Sequence, residues 1–239
     1  GSSHARSGVN CTACHVYPET EKTNPQSSTV SSWVDRPDER GCRSCHQIEV
    51  DRFRFGKHGM RLAAGLPAMK VADARLAMEP DKHDSSITCN SCHSDHTFDT
   101  RNAAVDACLS CHADEHSKAY KQSPHGQLWV QEQTGEIKDN EGVSCASCHM
   151  PRVSIDVSEW LSRITVDHNQ NANLSPNSKM IRSACLHCHG LEFSINALAD
   201  EALIRNNFSG QAVFRTDSMR LVKEDLERVE MELESARDK

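Results

Sequence analysis

The chain has little with which to build an ordinary hydrophobic core. Aromatic residues make up only 5% of the 239 positions, with two Tyr, three Trp and six Phe. The apolar residues reach 37%, and counting glycine with them still leaves the chain short of the roughly 45–50% usual in globular domains. Mean hydropathy is −0.63. No long apolar run is present: the longest extends from Leu62 to Met69 and is flanked by Arg61 and Lys70, far short of the roughly 20 residues of a membrane span. There is no basic run either, and the formal net charge is −7, which argues against nucleic-acid binding. No alternation of apolar and polar residues persists long enough to promise a sheet. The expected class is mainly α with much loop.

Cysteine, by contrast, is abundant and strictly placed. All twelve cysteines fall in one repeated pentapeptide, Cys-x-x-Cys-His, found six times. The copies are Cys11–Cys14–His15, Cys42–Cys45–His46, Cys89–Cys92–His93, Cys108–Cys111–His112, Cys145–Cys148–His149 and Cys185–Cys188–His189. Zinc ribbons or a disulfide framework would use paired cysteines, but neither requires a His after every second one. Covalent attachment of c-type haem does, with two thiols bonding the porphyrin edge and the adjacent His reaching the iron as proximal ligand. The sequence therefore predicts six c-type haems. Roughly 40 residues per haem are too few for a conventional core around each. The expected architecture is a multihaem cytochrome c fold in which the haems form the core. The haem-free chain is expected not to fold cooperatively.

Motif density divides the chain into three segments. Residues 1–80 hold two motifs, separated by a spacer with Pro18, Pro25, Pro37 and a Ser/Thr-rich run that reads as loop. Residues 58–80 are expected to be helical: Pro67 suits a first helical position, Met69, Ala72, Leu76 and Glu79 follow at helical spacing, and Pro80 stops it. Residues 81–195 hold four motifs, with an exposed turn expected over Thr134–Gly142. Residues 196–239 hold none and form a helical tail, where Met219, Val222, Leu226, Val229, Leu233 and Ala236 mark an apolar seam. That seam suits either docking on its own domain or a contact between subunits.

Six irons need six further axial ligands if each is six-coordinate, and eight His lie outside the motif positions. His187 sits between the two cysteines of the sixth motif and is set aside. His58 and His125 each precede a glycine, which would let the backbone approach a porphyrin face. His96 and His116 lie three and four residues past a motif His. His83 precedes the third motif, and His168 stands in Val166-Asp167-His168-Asn169. These six are the expected distal ligands. His4 is a seventh candidate too near a free end to assign, and Met60, Met69, Met150 and Met180 rank lower. Two imidazoles per iron leave no open position and lower the potential relative to His/Met ligation. The pattern implies a low-potential electron wire.

The region from about 81 to 210 resembles the multihaem family that includes hydroxylamine oxidoreductase and the multihaem nitrite reductases. The similar stretches are Ala107–His112, Asp114–Tyr120, Ser123–Gly126, Glu141–Arg152, Val166–Asn169, Ser175–Arg182 and Cys185–Leu191. The resemblance implies a mostly helical fold with parallel and perpendicular haem pairs, and assigns His116, His125 and His168 as distal ligands. The family's oxidising enzymes carry eight haems and a tail tyrosine crosslinked to the catalytic haem. This chain has six motifs and only Tyr17 and Tyr120, with none in its tail. It is similar to a trimmed member without that crosslink.

The function expected is electron transfer rather than catalysis, with redox proteins as partners, no nucleic acid and no membrane span. Assembly into homo-oligomers or filaments is an open expectation. The alternative is a reductase of nitrite, hydroxylamine or a similar small substrate at one five-coordinate haem, with Asp167, His168 and Arg152 lining the open face. Attachment of c-type haem takes place outside the cytoplasmic membrane, so a periplasmic or cell-surface location is expected, with a signal segment removed before Gly1.

Overall fold

The computed structural model describes residues 2–18, 31–94, 96–97, 99–213, 224 and 231. The seam expected from Met219 to Ala236 lies outside them. The described chain is mostly short helices joined by loops. Few helices exceed one or two turns; among the longer ones are α1 (Gln47–Phe55), α3 (Pro124–Thr134) and α4 (Leu191–Ala199). Helices this short are not stable alone in water, so tertiary contacts and side-chain caps must hold them. Ser123 caps α3 by accepting from Gly126 N, with Pro124 at its first position and Gly135 (φ +77°) closing it. Thr134–Gly142 follows as the expected turn, largely exposed.

The chain forms two compact units, Gly1–Asp114 with Cys145–Ala172, and Glu115–Ser144 with Asn173–Lys239. The first unit carries the first five motifs, and the second carries the sixth. Buried apolar side chains are few. Val50, Val71 and Val105 serve the first unit, and Tyr120, Met180, Ala197, Leu198 and Leu203 the second. Polar side chains are buried almost as often, including Ser123, Asp167, Ser194 and Asn196. Such a core is as thin as the composition implies. No helix among the described residues is long and apolar enough to cross a membrane.

Two expectations about local structure fail. Of the helix anticipated over 58–80 only Met60–Ala63 forms; from Pro67 to Glu79 there is just the 3-10 turn Val71–Asp73. Backbone groups of this segment are engaged elsewhere. Ile87 N donates to Met69 O, Ala72 N to His83 O, Ala113 N to Ala77 O, and Glu79 N to Cys111 O. Beyond that turn's own bonds, the segment thus straps the loop before the third motif and the end of the fourth. Strands are also present. Val16–Pro18 (β1) pairs antiparallel with Ser31–Trp33 (β2), and Arg152–Ser158 (β3) with Leu161–Val166 (β4). In β3 the apolar Val153, Ile155 and Val157 alternate with polar residues, a strand signal only seven residues long. Glu49 in α1 ties this hairpin down by accepting from the Thr165 hydroxyl at 3.0 Å and pairing with Arg163.

Candidate haem sites

Each motif is wound into a single turn. The His amide donates to the carbonyl of the first cysteine four residues back: His15 to Cys11, His46 to Cys42, His93 to Cys89, His112 to Cys108 and His189 to Cys185. The fifth motif is itself the helix Cys145–His149. Residues i, i+3 and i+4 of a helical turn share one face, so both thiols and the imidazole emerge on the same side. That is the local geometry covalent attachment with axial ligation needs. None of the twelve cysteines is bridged in a disulfide.

Five motif histidines face a histidine from elsewhere in the chain. His46 lies opposite His4 with ring centroids 5.9 Å apart, His15 opposite His96 at 6.1 Å, and His112 opposite His58 at 6.2 Å. His93 lies opposite His168 at 6.2 Å, and His189 opposite His125 at 6.1 Å. Rings so far apart are not stacked on one another. A metal–imidazole bond of about 2.0 Å, plus about 1.1 Å from nitrogen to ring centre, separates two trans imidazoles by about 6.2 Å. The residues present therefore fit an iron between each pair.

The protonation states agree with that use. His15 Nδ1 donates to Val34 O at 2.7 Å, His168 Nδ1 to Val166 O at 3.0 Å, and His116 Nδ1 to Ile204 O at 2.5 Å. A proton fixed on Nδ1 leaves the Nε2 lone pair to act as acceptor, the state an axial ligand requires; in His116 that lone pair faces the Asn207 side-chain amide at 3.3 Å. Burial pushes His58 down to about 4, helped by neighbouring His112. Burial likewise lowers His93, His112, His125 and His168. These imidazoles are neutral at ordinary pH.

Successive motifs in the first unit lie near one another at their cysteines. Cys42 adjoins Cys89, and Cys108 adjoins Cys145. Cys14 lies within charge–charge reach of Cys42 and Cys45, and Cys92 within reach of Cys108 and Cys111. The five motifs are consequently neighbours in sequence order.

The structure treats the candidate distal residues unequally. It sets His58, His96, His125 and His168 opposite motif rings, and does the same for His4. His116, in α2 (Glu115–Ala119), is held by Ile204 O and beside Asn207. His83 sits after the turn Pro80–Lys82, its carbonyl accepting from Ala72, and faces no motif ring among the described residues. His187 is part of the sixth motif's own turn. The glycines beside His58 and His125 are packed against the chain's own backbone. A Cβ on Gly59 would lie 2.3 Å from Phe53 O, and one on Gly126 would lie 2.0 Å from Tyr120 O. They admit the chain's own backbone and so fix the adjacent His.

Supporting residues escaped the sequence reading. Arg52 grips Asp167 with Nε at 2.8 Å from Oδ1 and with Nη2 on Oδ2, next to His168. Trp33 stacks on His15 at 4.5 Å with planes 7° apart, and Phe193 on His189 at 4.6 Å. No short motif signals these contacts, which join residues distant in the chain.

No family model matches the chain, and no solved structure does. The chain is similar to a curated protein, the multihaem cytochrome MtrA of Shewanella baltica (strain OS185), 23% identical over 195 residues. The match takes in 76% of this chain but only 42% of the relative's length.

Proposed function

We propose that the chain is an electron-transfer protein carrying six covalently attached c-type haems, with each iron held between two histidines. The observation that carries this reading is the set of five histidine pairs at 5.9–6.2 Å. In it His96 serves the site of His15, His4 that of His46, His168 that of His93, His58 that of His112 and His125 that of His189. His116 is the candidate left for a sixth distal position, which needs its Nε2 to give up the Asn207 amide; His83 faces no motif ring among the described residues. The similarity to a multihaem cytochrome supports the class.

Bound haem supplies reversible one-electron exchange at iron. The chain's part is to fill both axial positions with neutral imidazoles, which keeps small substrates off the metal and the potential low. It also sets the first five motifs side by side in sequence order, so that electrons have neighbouring stations. The reductase alternative places Asp167, His168 and Arg152 as candidate proton donors beside an open haem. Asp167 is 2% exposed and locked against Arg52, which supports the carrier.

The working location is the periplasm or the cell surface, where c-type haem is attached, with redox proteins as donor and acceptor. Association into oligomers or filaments is a separate expectation; deleting residues 217–239 should lower the mass seen by light scattering by more than the deleted segment if the tail joins subunits.

The test is intact mass with protein-film voltammetry on the holoprotein. The reading expects the mass of six haems and reversible waves that nitrite and hydroxylamine leave unchanged. A catalytic wave on adding either substrate would overturn it.

A further inference from the structure

Asn207 and Phe208, just past α5 (Glu201–Arg205), have φ of +53° and +58°. That left-handed conformation is unusual for any residue with a side chain, and for a bulky one it is strained unless its surroundings impose it. Here they do. Phe208 N donates to Leu203 O at 2.8 Å and Asn207 N to Ile204 O at 3.1 Å. The buried Asn207 amide donates to His116 O at 3.1 Å. The turn delivers the Phe208 ring to two histidines at once. Its centroid lies 6.2 Å from that of His116 with planes at 90°, and 5.9 Å from that of His125 with planes at 56°. Both are within the range of aromatic contact. His189, which faces His125, has Phe193 against it at 4.6 Å with planes 27° apart. His125 and His189 stand crossed at 62°.

We propose that Phe208 is a positioning residue for axial ligands of two haem sites: it holds the ring planes of His116 and His125, and with Phe193 keeps His125 and His189 crossed. This rests on the haem-ligand reading above. In low-spin ferric haem the angle between the axial imidazole planes sets the splitting of the iron d orbitals. The g values, and with them the redox poise, follow that angle. A residue touching one ligand from each of two sites must therefore move two sites and leave the others alone.

The experiment is low-temperature EPR and potentiometric titration of oxidised holoprotein carrying full haem. Phe208→Leu should change two low-spin components and two redox steps, with the other components overlaying the parent. Phe193→Leu should change one component, shared with the Phe208→Leu pair. Phe208→Tyr, which keeps the ring, should overlay the parent. Should Phe208→Leu lose haem, Phe208→Met refills the volume without an aromatic face and carries the same expectation. His125→Ala separates the two levels of the argument. If it leaves every haem low-spin, the ligand reading fails. If it produces one high-spin haem while the Phe208 variants leave the spectrum unchanged, or shift all components alike, only the role of Phe208 is overturned.

Discussion

Arg52 clasps both carboxylate oxygens of Asp167, the residue directly before His168. Asp167 is 3% exposed at its side chain and Arg52 35%, so removing the arginine strands a buried charge. Arg52→Ala should destabilise the holoprotein by about 2–4 kcal/mol, somewhat below the roughly 3–5 of a fully buried pair because Arg52 keeps contact with water. Urea unfolding followed by haem absorbance measures it. An effect under about 0.5 kcal/mol, the level of a weak surface ion pair, would show that the clasp does not hold this segment.

The geometry also separates two histidines that composition treats alike. His4 lies 5.9 Å from His46, whereas His83 faces no motif ring among the described residues. His4→Ala should convert one haem per chain from low-spin to high-spin, and His83→Ala should convert none. EPR spin counting decides between them; the reverse result would exchange their roles.

Gly126 and Gly59 are predicted to be intolerant of a methyl group. An added Cβ would meet backbone oxygen at 2.0 Å and 2.3 Å, respectively. Forced displacement of backbone of this kind costs about 1–3 kcal/mol. Gly190 has no heavy atom within 4 Å of such a Cβ. Gly190→Ala should cost at most about 1 kcal/mol, mainly as a poorer helix cap. Thermal unfolding of the three variants should rank them in that order.

Glu49 should make stability fall on acidification. Burial alone would raise its pKa, but its own backbone N–H, the Thr165 hydroxyl and Arg163 together hold it below the ordinary 4.5. A carboxyl depressed by folding stabilises fully above its unfolded pKa, and that contribution is lost as pH falls through the folded value. Glu49→Gln should therefore be less stable than the parent at pH 7 by about 1 kcal/mol, a modest figure because Arg163 is largely exposed. The gap should close below pH 4.5. A difference independent of pH would remove the ion pair from the account.

What the sequence disclosed follows from the range of the interactions. The motif turns are set by five contiguous residues, so their six copies are visible at once, as are the Ser123–Pro124 start and Gly135 end of α3. The histidines outside the motifs stood out as candidates because imidazole is a chemically specific side chain, although His4, set aside for lying near a free end, faces His46 and His83 faces no motif ring among the described residues. Their partners were not legible, since joining His58 to His112 or His93 to His168 depends on loops that no local rule fixes. The failed helix at Pro67 shows the same limit: its periodic apolar positions are real, but hydrogen bonds to the third and fourth motif loops outcompete local propensity. The β3–β4 hairpin was readable in the alternation of Val153, Ile155 and Val157, a stretch too short to stand out. Phe208 could not be foreseen, because an unusual backbone angle on a phenylalanine leaves no trace in composition.

The ring planes make the central claim measurable. His15 and His96 are nearly parallel at 20°, while His4 and His46 are crossed at 71°. Bis-imidazole sites of these kinds give, respectively, rhombic and strongly anisotropic low-spin ferric signals. The most direct test is a quantitative low-temperature EPR spectrum of fully oxidised holoprotein, with haem content measured on the same sample. The account predicts six low-spin haems per chain, with both signal types present and no high-spin iron. A high-spin component equal to one haem per chain that changes on adding nitrite or hydroxylamine would contradict it.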